Sequence, residues 1–456
     1  MKKRLIAFLI VFAMVLSLTA CSDDSGGTGT HKNSGLDTSL ARSTKMQVSS
    51  GGDLEIQRLT RTETKKMGAS GTWTIFVYMC GSDLESESGL STMDLQEMID
   101  STQSDKIKFV VQTGGANAWD NDLVDDSLTQ RFVIENQNME QIEEADGANM
   151  GSAETLAEFL DWGVSAYPAE KMGLVFWNHG GGSITGVCFD EQNESDSLSL
   201  LEVENALTSV YPKMTDAFEF IGFDACLMGT VETGNMLAPH ARYMVASEEL
   251  EPGYGWDYTA MGNFIGSNSA AGGAELGKVI VDSFYAACMA SDSHNEATLS
   301  CIDLSKIDEL VYAFNDVARE MYSATTKTEV LSNMVKGITA AENYGGNSKS
   351  EGYTNMVDLG SVLKNMTGNV AGTDRALAAL ADCVVYMKNG SDKADSHGLS
   401  IYYPLAIQGS EELSIFKDIC VSPYYMSFVD KMAYGSDTNG DFGNYSDSDW
   451  FGENSL

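Results

Sequence analysis

Positive charge is scarce in this chain. Its 456 residues include 28 Lys and Arg against 66 Asp and Glu, a formal net charge of −38. A surface of that sign repels a polyphosphate, so nucleic-acid binding is excluded as a function class. It suits an extracytoplasmic protein that stays soluble and concentrates cationic solutes nearby. Patterned cysteine is also missing. The eight thiols, Cys21, Cys80, Cys188, Cys226, Cys288, Cys301, Cys383 and Cys420, form no CxxC and take no zinc-ligand spacing with a histidine. An exported protein has the option of pairing some of them, and spacing does not select the pairs. No internal repeat is found. What is present is ordinary globular material: 43% hydrophobic residues in a chain long enough for a large core.

The first residues are an export signal rather than fold. Lys2-Lys3-Arg4 precede an apolar run, 5–18, too short to span a membrane comfortably. Leu18-Thr19-Ala20-Cys21 resembles a bacterial lipobox, which implies cleavage before Cys21, lipidation of its thiol and anchoring to the bacterial membrane. Residues 1–20 are then the signal peptide. Residues 21–68, rich in Ser, Thr, Gly and charge, read as a flexible tether. Arg58, Arg61, Lys65 and Lys66 near its end make it a candidate propeptide as well. Residues 436–456 read as an acidic flexible tail. Asp437, Asn439 and Asp441 mimic the first ligands of a calcium loop, but Phe442 stands where that loop needs glycine and no glutamate closes it.

Strands and helices alternate between these ends, over 69–435. A β-rich run at 73–79 ends on Cys80-Gly81-Ser82-Asp83, and Asp83 caps a helix reaching about residue 100. Further strands are expected at 107–112, 131–134 (an edge strand), 173–178, 219–224, 243–246, 298–303 and 397–404. Helices are expected at 152–166, 198–210, 230–237, 273–290, 304–322 and 374–388. Residues 186–197 read as a surface loop, and 247–257 as an acidic, aromatic one. Such alternation predicts an α/β fold with a mostly parallel sheet covered on both faces, and with its chemistry at the carboxyl ends of the strands.

Two strand ends carry reactive side chains. The run 173–178 leads into His179-Gly180-Gly181-Gly182, and the run 219–224 stops at Asp224-Ala225-Cys226. Cys226 is the candidate nucleophile and His179, 47 residues earlier, its partner. A buried cysteine is more often a small core residue. The acid before it, the break into a helix after it and the histidine on a second strand end favour catalysis. The backbone N–H groups of Gly180 and Cys226 are candidate oxyanion donors. Asp224 lies two residues before the thiol, so in an extended segment it faces the same cleft. An anion disfavours a thiolate, so Asp224 makes better sense as counter-charge to a cationic substrate side chain. The other histidines read as structural: His31 in the tether, His240 as a cation at a helix end, His294 in a polar loop and His397 before a strand.

These residues resemble a family. Trp177-Asn178-His179-Gly180-Gly181-Gly182, Phe223-Asp224-Ala225-Cys226-Leu227-Met228, Glu251-Pro252-Gly253-Tyr254-Gly255-Trp256 and Gly398-Leu399-Ser400-Ile401-Tyr402-Tyr403-Pro404 are similar to blocks of the clostripain family of cysteine peptidases. The resemblance implies a caspase-like α/β fold, with a C-terminal helical and strand extension, and a His179–Cys226 dyad. It implies hydrolysis of proteins or peptides after Arg or Lys, with Asp224 in the specificity pocket and a second acid from the following loop, where Glu251 and Asp257 are candidates. No cofactor is required, and calcium stimulation is a property of some members only. One departure concerns maturation. Members often cut themselves at a basic residue after the histidine, yet no Lys or Arg lies between Gly180 and Pro212. Two rival readings are an α/β-hydrolase esterase, whose oxyanion motif His179-Gly180-Gly181-Gly182 copies, and a non-catalytic surface-binding protein derived from a peptidase. The esterase needs a G-x-S-x-G elbow downstream, and none exists.

Overall fold

The computed structural model describes residues 34–61, 64–348, 352–407 and 409–433. Cys21, His31 and the calcium-like stretch from Asp437 lie outside them. The chain opens on a hairpin, β1 (Thr44–Val48) and β2 (Leu54–Arg58). Then come β3 (Trp73–Cys80), β4 (Ile107–Gly114), β5 (Leu128–Glu135), β6 (Asn138–Asp146) and β7 (Lys171–Trp177). A small hairpin, β8 (Val187–Asp190) and β9 (Asp196–Leu198), precedes β10 (Phe218–Asp224), β11 (Ala241–Ala246) and β12 (Thr298–Asp303). The remainder holds the short strands β13 (Asn343–Tyr344), β14 (Asn347–Ser348), β15 (Gly352–Tyr353) and β16 (Met356–Asp358), then β17 (Val384–Asn389) and β18 (Ser400–Tyr402).

Nine strands form one sheet in the order β17-β12-β11-β10-β7-β3-β4-β5-β6. Its five central strands, β11-β10-β7-β3-β4, are parallel, and an antiparallel pair extends each side. The α/β reading is therefore correct, with a mixed sheet that is parallel at its centre. Strand alternation divides the core in two. Phe76, Tyr78 and Cys80 of β3 enter one apolar cluster, and Trp73, Ile75, Val77 and Met79 enter the other. Helices Ala153–Ala166, Leu200–Val210 and Ile307–Ala324 cover the first face, while Leu90–Ser101, Tyr258–Ser267 and Gly273–Ala290 cover the second. The chain winds from β3 to β4 in one direction and from β7 through β10 to β11 in the other. The reversal falls between β3 and β7, the kind of crevice where such sheets bind ligands.

Several expectations are corrected. The strand at 131–134 is not an edge, because β6 pairs outside it. The sequence hid β6 because NMEQIEEAD lacks a buried face and is loaded with acid, as suits an exposed edge. The loop at 186–197 contains the hairpin β8–β9. The helix expected at 374–388 ends at Cys383, and β17 follows. The last expected strand is only β18, which joins β13 and β16 in a separate three-stranded sheet. His240 is no cation: it is buried with Nε2 unpartnered, and burial, with Arg61 and Arg58 nearby, pushes its pKa down to about 3. His397 is bound through Nδ1 to the fully buried Asp358 at 2.6 Å, a structural role as expected.

The largest difference lies in the tether. Its described residues, 34–61 and 64–68, are built into the protein. Arg58 donates to Asp308 (2.7 Å), to the Thr44 hydroxyl (2.8 Å) and to the carbonyl and side-chain oxygens of Asn235 (2.7 and 2.8 Å). Arg61 donates to the carbonyls of Met214 and Pro239 and lies 4.2 Å over the Tyr211 ring, and Arg42 pairs with the buried Glu204. Composition misled here because the anchors are a few scattered side chains, long arginines together with the apolar Met46, Leu54 and Ile56, in a segment otherwise rich in polar residues. Arg58→Ala is expected to cost about 2 kcal/mol, since it orphans several charge-assisted partners at once. Thermal unfolding of the purified protein should show the midpoint lowered by about 2–4 °C.

Candidate active site

The parallel pairing of β7 with β10 sets Trp177 opposite Asp224. His179 and Cys226 each lie two residues beyond the end of their strand, so they leave the sheet side by side. The N–H of Asn178 continues the ladder to the Asp224 carbonyl. Its amide nitrogen donates to the Cys80 carbonyl at 2.7 Å and its amide oxygen accepts from the Phe189 N–H at 2.7 Å. The histidine loop is thereby tied to the end of β3 and to β8. Gly180 closes the arrangement. A Cβ there would stand 2.1 Å from the Cys226 carbonyl oxygen, so only glycine allows the two loops to touch.

His179, Asp224, Cys226 and Glu251 all line one cleft, with Leu84, Trp177 and the turn 252–255. The space within the cleft is about 20 Å³, enough for roughly one water. The segment after β11 fills the rest. The Glu251 N–H donates to Cys226 Sγ at 3.2 Å. Burial pushes the thiol up to about 12; that N–H counters it and the neighbouring acids add to it. The thiol is therefore neutral in this closed form. No hydrogen bond joins it to His179. The imidazole is held from the other side, with Nε2 2.8 Å from Asp83 Oδ1. Asp83 is thus not the helix cap expected of it. A short helix spans Ser82–Ser86, and the next begins at Leu90 after Gly89 in a left-handed conformation.

Asp224 is almost fully buried. It accepts from the Trp256 N–H (3.2 and 3.3 Å) and the Tyr258 hydroxyl (2.9 Å). Gly255, at φ +58°, passes over it so closely that a Cβ would lie 2.6 Å from its Oδ1. Burial pushes Asp224 up to about 7, against these hydrogen bonds. Glu251 accepts from the Trp256 indole at 3.1 Å and its other oxygen is unpartnered. Burial and the charge of Asp224 push it well up. Asp94, which the sequence did not single out, accepts from the Trp177 indole at 2.6 Å and is raised by burial and by Asp224. None of the three carboxyls meets a Lys or Arg among the described residues. The other predicted acid, Asp257, is elsewhere: it caps helix Tyr258–Ser267 through Ala260 N–H. All seven described cysteines are unpaired and buried. The described residues contain no cluster of three or more His, Cys, Asp or Glu placed to hold a metal.

A thiol and an imidazole on adjacent parallel strand ends can be compared with known proteins. A model of the clostripain family matches residues 77–441. The chain belongs to the clostripain family of cysteine peptidases. Clostripain of Hathewaya histolytica is 26% identical over 330 residues, and the match covers 60% of this chain and 61% of clostripain's own length. A secreted C11 cysteine protease from Bacteroides thetaiotaomicron, solved with an irreversible peptide inhibitor, superposes at a TM-score of 0.59 and 20% identity, over 78% of this chain and 99% of that one. An inactive zymogen C11 protease from Parabacteroides distasonis gives 0.58 and 19%, over 81% and 99%. The shared fold sets aside the α/β-hydrolase reading. Gly180→Ala is expected to separate the two loops by about 1 Å and to lower kcat by about 100-fold. Steady-state assay of the purified variant against a peptide reporter measures it.

Proposed function

We propose that the chain is an endopeptidase that cuts after Arg or Lys, with Cys226 as nucleophile and His179 as its proton-transfer partner. The observation that carries the specificity is the group of buried acids beside the thiol. Asp224 and Glu251 line the cleft, Asp94 stands behind Trp177, and no Lys or Arg among the described residues balances them. Buried carboxyls without a counter-charge are costly, and they are neutralised either by a proton or by an incoming cation. A guanidinium or ammonium at the residue before the scissile bond supplies that cation and displaces the protons. Substrate entry also requires the turn 252–255 to move, because the closed cleft holds only about one water.

In the proposed reaction the Cys226 sulfur attacks the carbonyl carbon as its proton passes to His179. The carbonyl oxygen takes the negative charge and faces the backbone N–H groups of Gly180 and Cys226. His179 delivers a proton to the leaving amine as the C–N bond breaks, leaving a thioester on Cys226. Water then cleaves the thioester and restores the thiol. By its lipobox resemblance, Cys21 anchors the enzyme to the membrane on the outer side. Cys21→Ser should then release the protein into the medium and abolish incorporation of labelled fatty acid.

Cys226→Ala should abolish cleavage of an Arg-amide reporter; unchanged turnover would defeat the assignment. Asp224→Ala should lose activity on Arg and Lys reporters while sparing residual cleavage after neutral residues, and an equal loss on all reporters counts against the pocket. A raised carboxyl is protonated below its folded pKa, so Asp224 becomes an anion only above about 7. KM for an Arg reporter should therefore fall several-fold between about pH 6 and pH 8, and Asp224→Asn should flatten that dependence.

A further inference from the structure

We propose that Asp83 is a positioning residue for His179: it grips the imidazole at Nε2, fixes its tautomer and leaves Nδ1 as the nitrogen that handles the reacting proton. This rests on the assignment of Cys226 and His179 as the reacting pair. An ionised carboxylate only accepts, so at 2.8 Å the proton of the neutral ring sits on Nε2 and the lone pair on Nδ1. As the thiol proton passes through Nδ1 to the leaving amine, the ring is transiently an imidazolium with N–H groups on both nitrogens. Asp83 then faces that charge across an existing hydrogen bond and needs no reorganisation. The proton on Nε2 stays on the ring throughout, and Asp83 is not itself protonated.

Asp83 is prepared for this. It follows β3 at the point where the strand order reverses. The Gly81 and Ser82 N–H groups donate to the carbonyls of Gly114 (2.8 Å) and Gly115 (3.1 Å), which ties the turn to the end of β4. Ser82 has φ +53°, a backbone conformation that a non-glycine residue holds only when its surroundings impose it. Its hydroxyl donates to the same Asp83 Oδ1 at 2.8 Å. Burial raises the Asp83 pKa, but the hydrogen bond and charge of His179, with the Ser82 hydroxyl, outweigh it and bring the group down to about 2. Asp83 and His179 are 35% and 20% exposed, so as a bare ion pair they would add little to stability. The strained turn is better explained by orientation than by folding.

The test compares Asp83→Asn, His179→Ala and the double variant on an Arg-amide reporter, with thermal midpoints as a control. Asp83→Asn is expected to lower kcat by about 10²–10⁴-fold, the scale seen when a histidine loses its orienting carboxylate. KM should stay within about threefold and the midpoint within about 2 °C of wild type, as for an exposed pair. Asp83→Glu should recover part of the rate. In a His179→Ala background, Asp83→Asn should cost nothing further, since it acts through the missing ring. A kcat within about tenfold of wild type, a loss expressed in KM, or the same proportional loss on top of His179→Ala overturns the proposal. If His179→Ala itself keeps full turnover, the reacting pair is wrong and the proposal falls with it. If His179→Ala is inactive and Asp83→Asn active, only the proposal falls.

Discussion

The site depends on the register between β7 and β10. Because Trp177 pairs with Asp224, the two strands end level, and the residues that follow them emerge as neighbours. A slip of one residue would exchange inward and outward faces, and would turn Asp224 away from the pocket formed by Trp256 and Tyr258. Several contacts hold the register. Phe176 stacks on Phe223 with ring centroids 5.2 Å apart, Asn178 extends the ladder beyond the last regular pair, and Gly180 rests on the Cys226 carbonyl. Such an aromatic pair adds about 0.5–1.5 kcal/mol beyond the area it buries. Gly222 lets the Trp256 ring reach the strand from the other core, since a Cβ there would lie 2.6 Å from that ring.

Asp83, Asp94, Asp224 and Glu251, four carboxyls at or behind the cleft, divide by environment. Asp83 borders the protonatable imidazole and a hydroxyl donor, and is drawn down to about 2. Asp94, Asp224 and Glu251 have indole, phenol and amide donors but no cation among the described residues, and burial drives them up. Carboxyls pushed apart in this way take different tasks. In the proposed function the first is the charged neighbour of the His179 ring, and the others receive the positive charge of the substrate. The acidity of the whole chain prefigures this only loosely, because most acidic side chains lie on the surface.

Much of this organisation was legible in the sequence. The strands at 173–178 and 219–224 are short apolar runs that stop on polar residues, and their signal survives because both faces are buried. Asp224 does share the cleft with Cys226, although the strand stops at Asp224 and the chain turns before the thiol, so the two-residue offset alone does not account for it. Asp83 was misread because an acid before an apolar run looks like a helix cap, and nothing local shows that Ser82 turns left-handed and sends the carboxylate toward a histidine 96 residues away. Asp94 was invisible for a similar reason: on its helix it is one polar residue among several, and its burial comes from Trp177 of another element. Asp257 failed in the opposite sense, an acid in the right loop whose side chain is used up locally by Ala260. The long-range partner, not the residue type, decided each case.

The arginines of the N-terminal hairpin bear on the enzyme's own survival. On the proposed specificity, copies of the enzyme meet one another as substrates, each offering Arg42, Arg58 and Arg61 near one end. Those guanidiniums are already engaged, Arg58 in four hydrogen bonds and Arg61 between two carbonyls and a ring. To enter a neighbour's pocket, either side chain must first leave its own partners, and the hairpin must peel from the body with it. The contacts that bind the segment to the protein thus also keep the bonds after Arg58 and Arg61 out of reach for as long as the fold is intact.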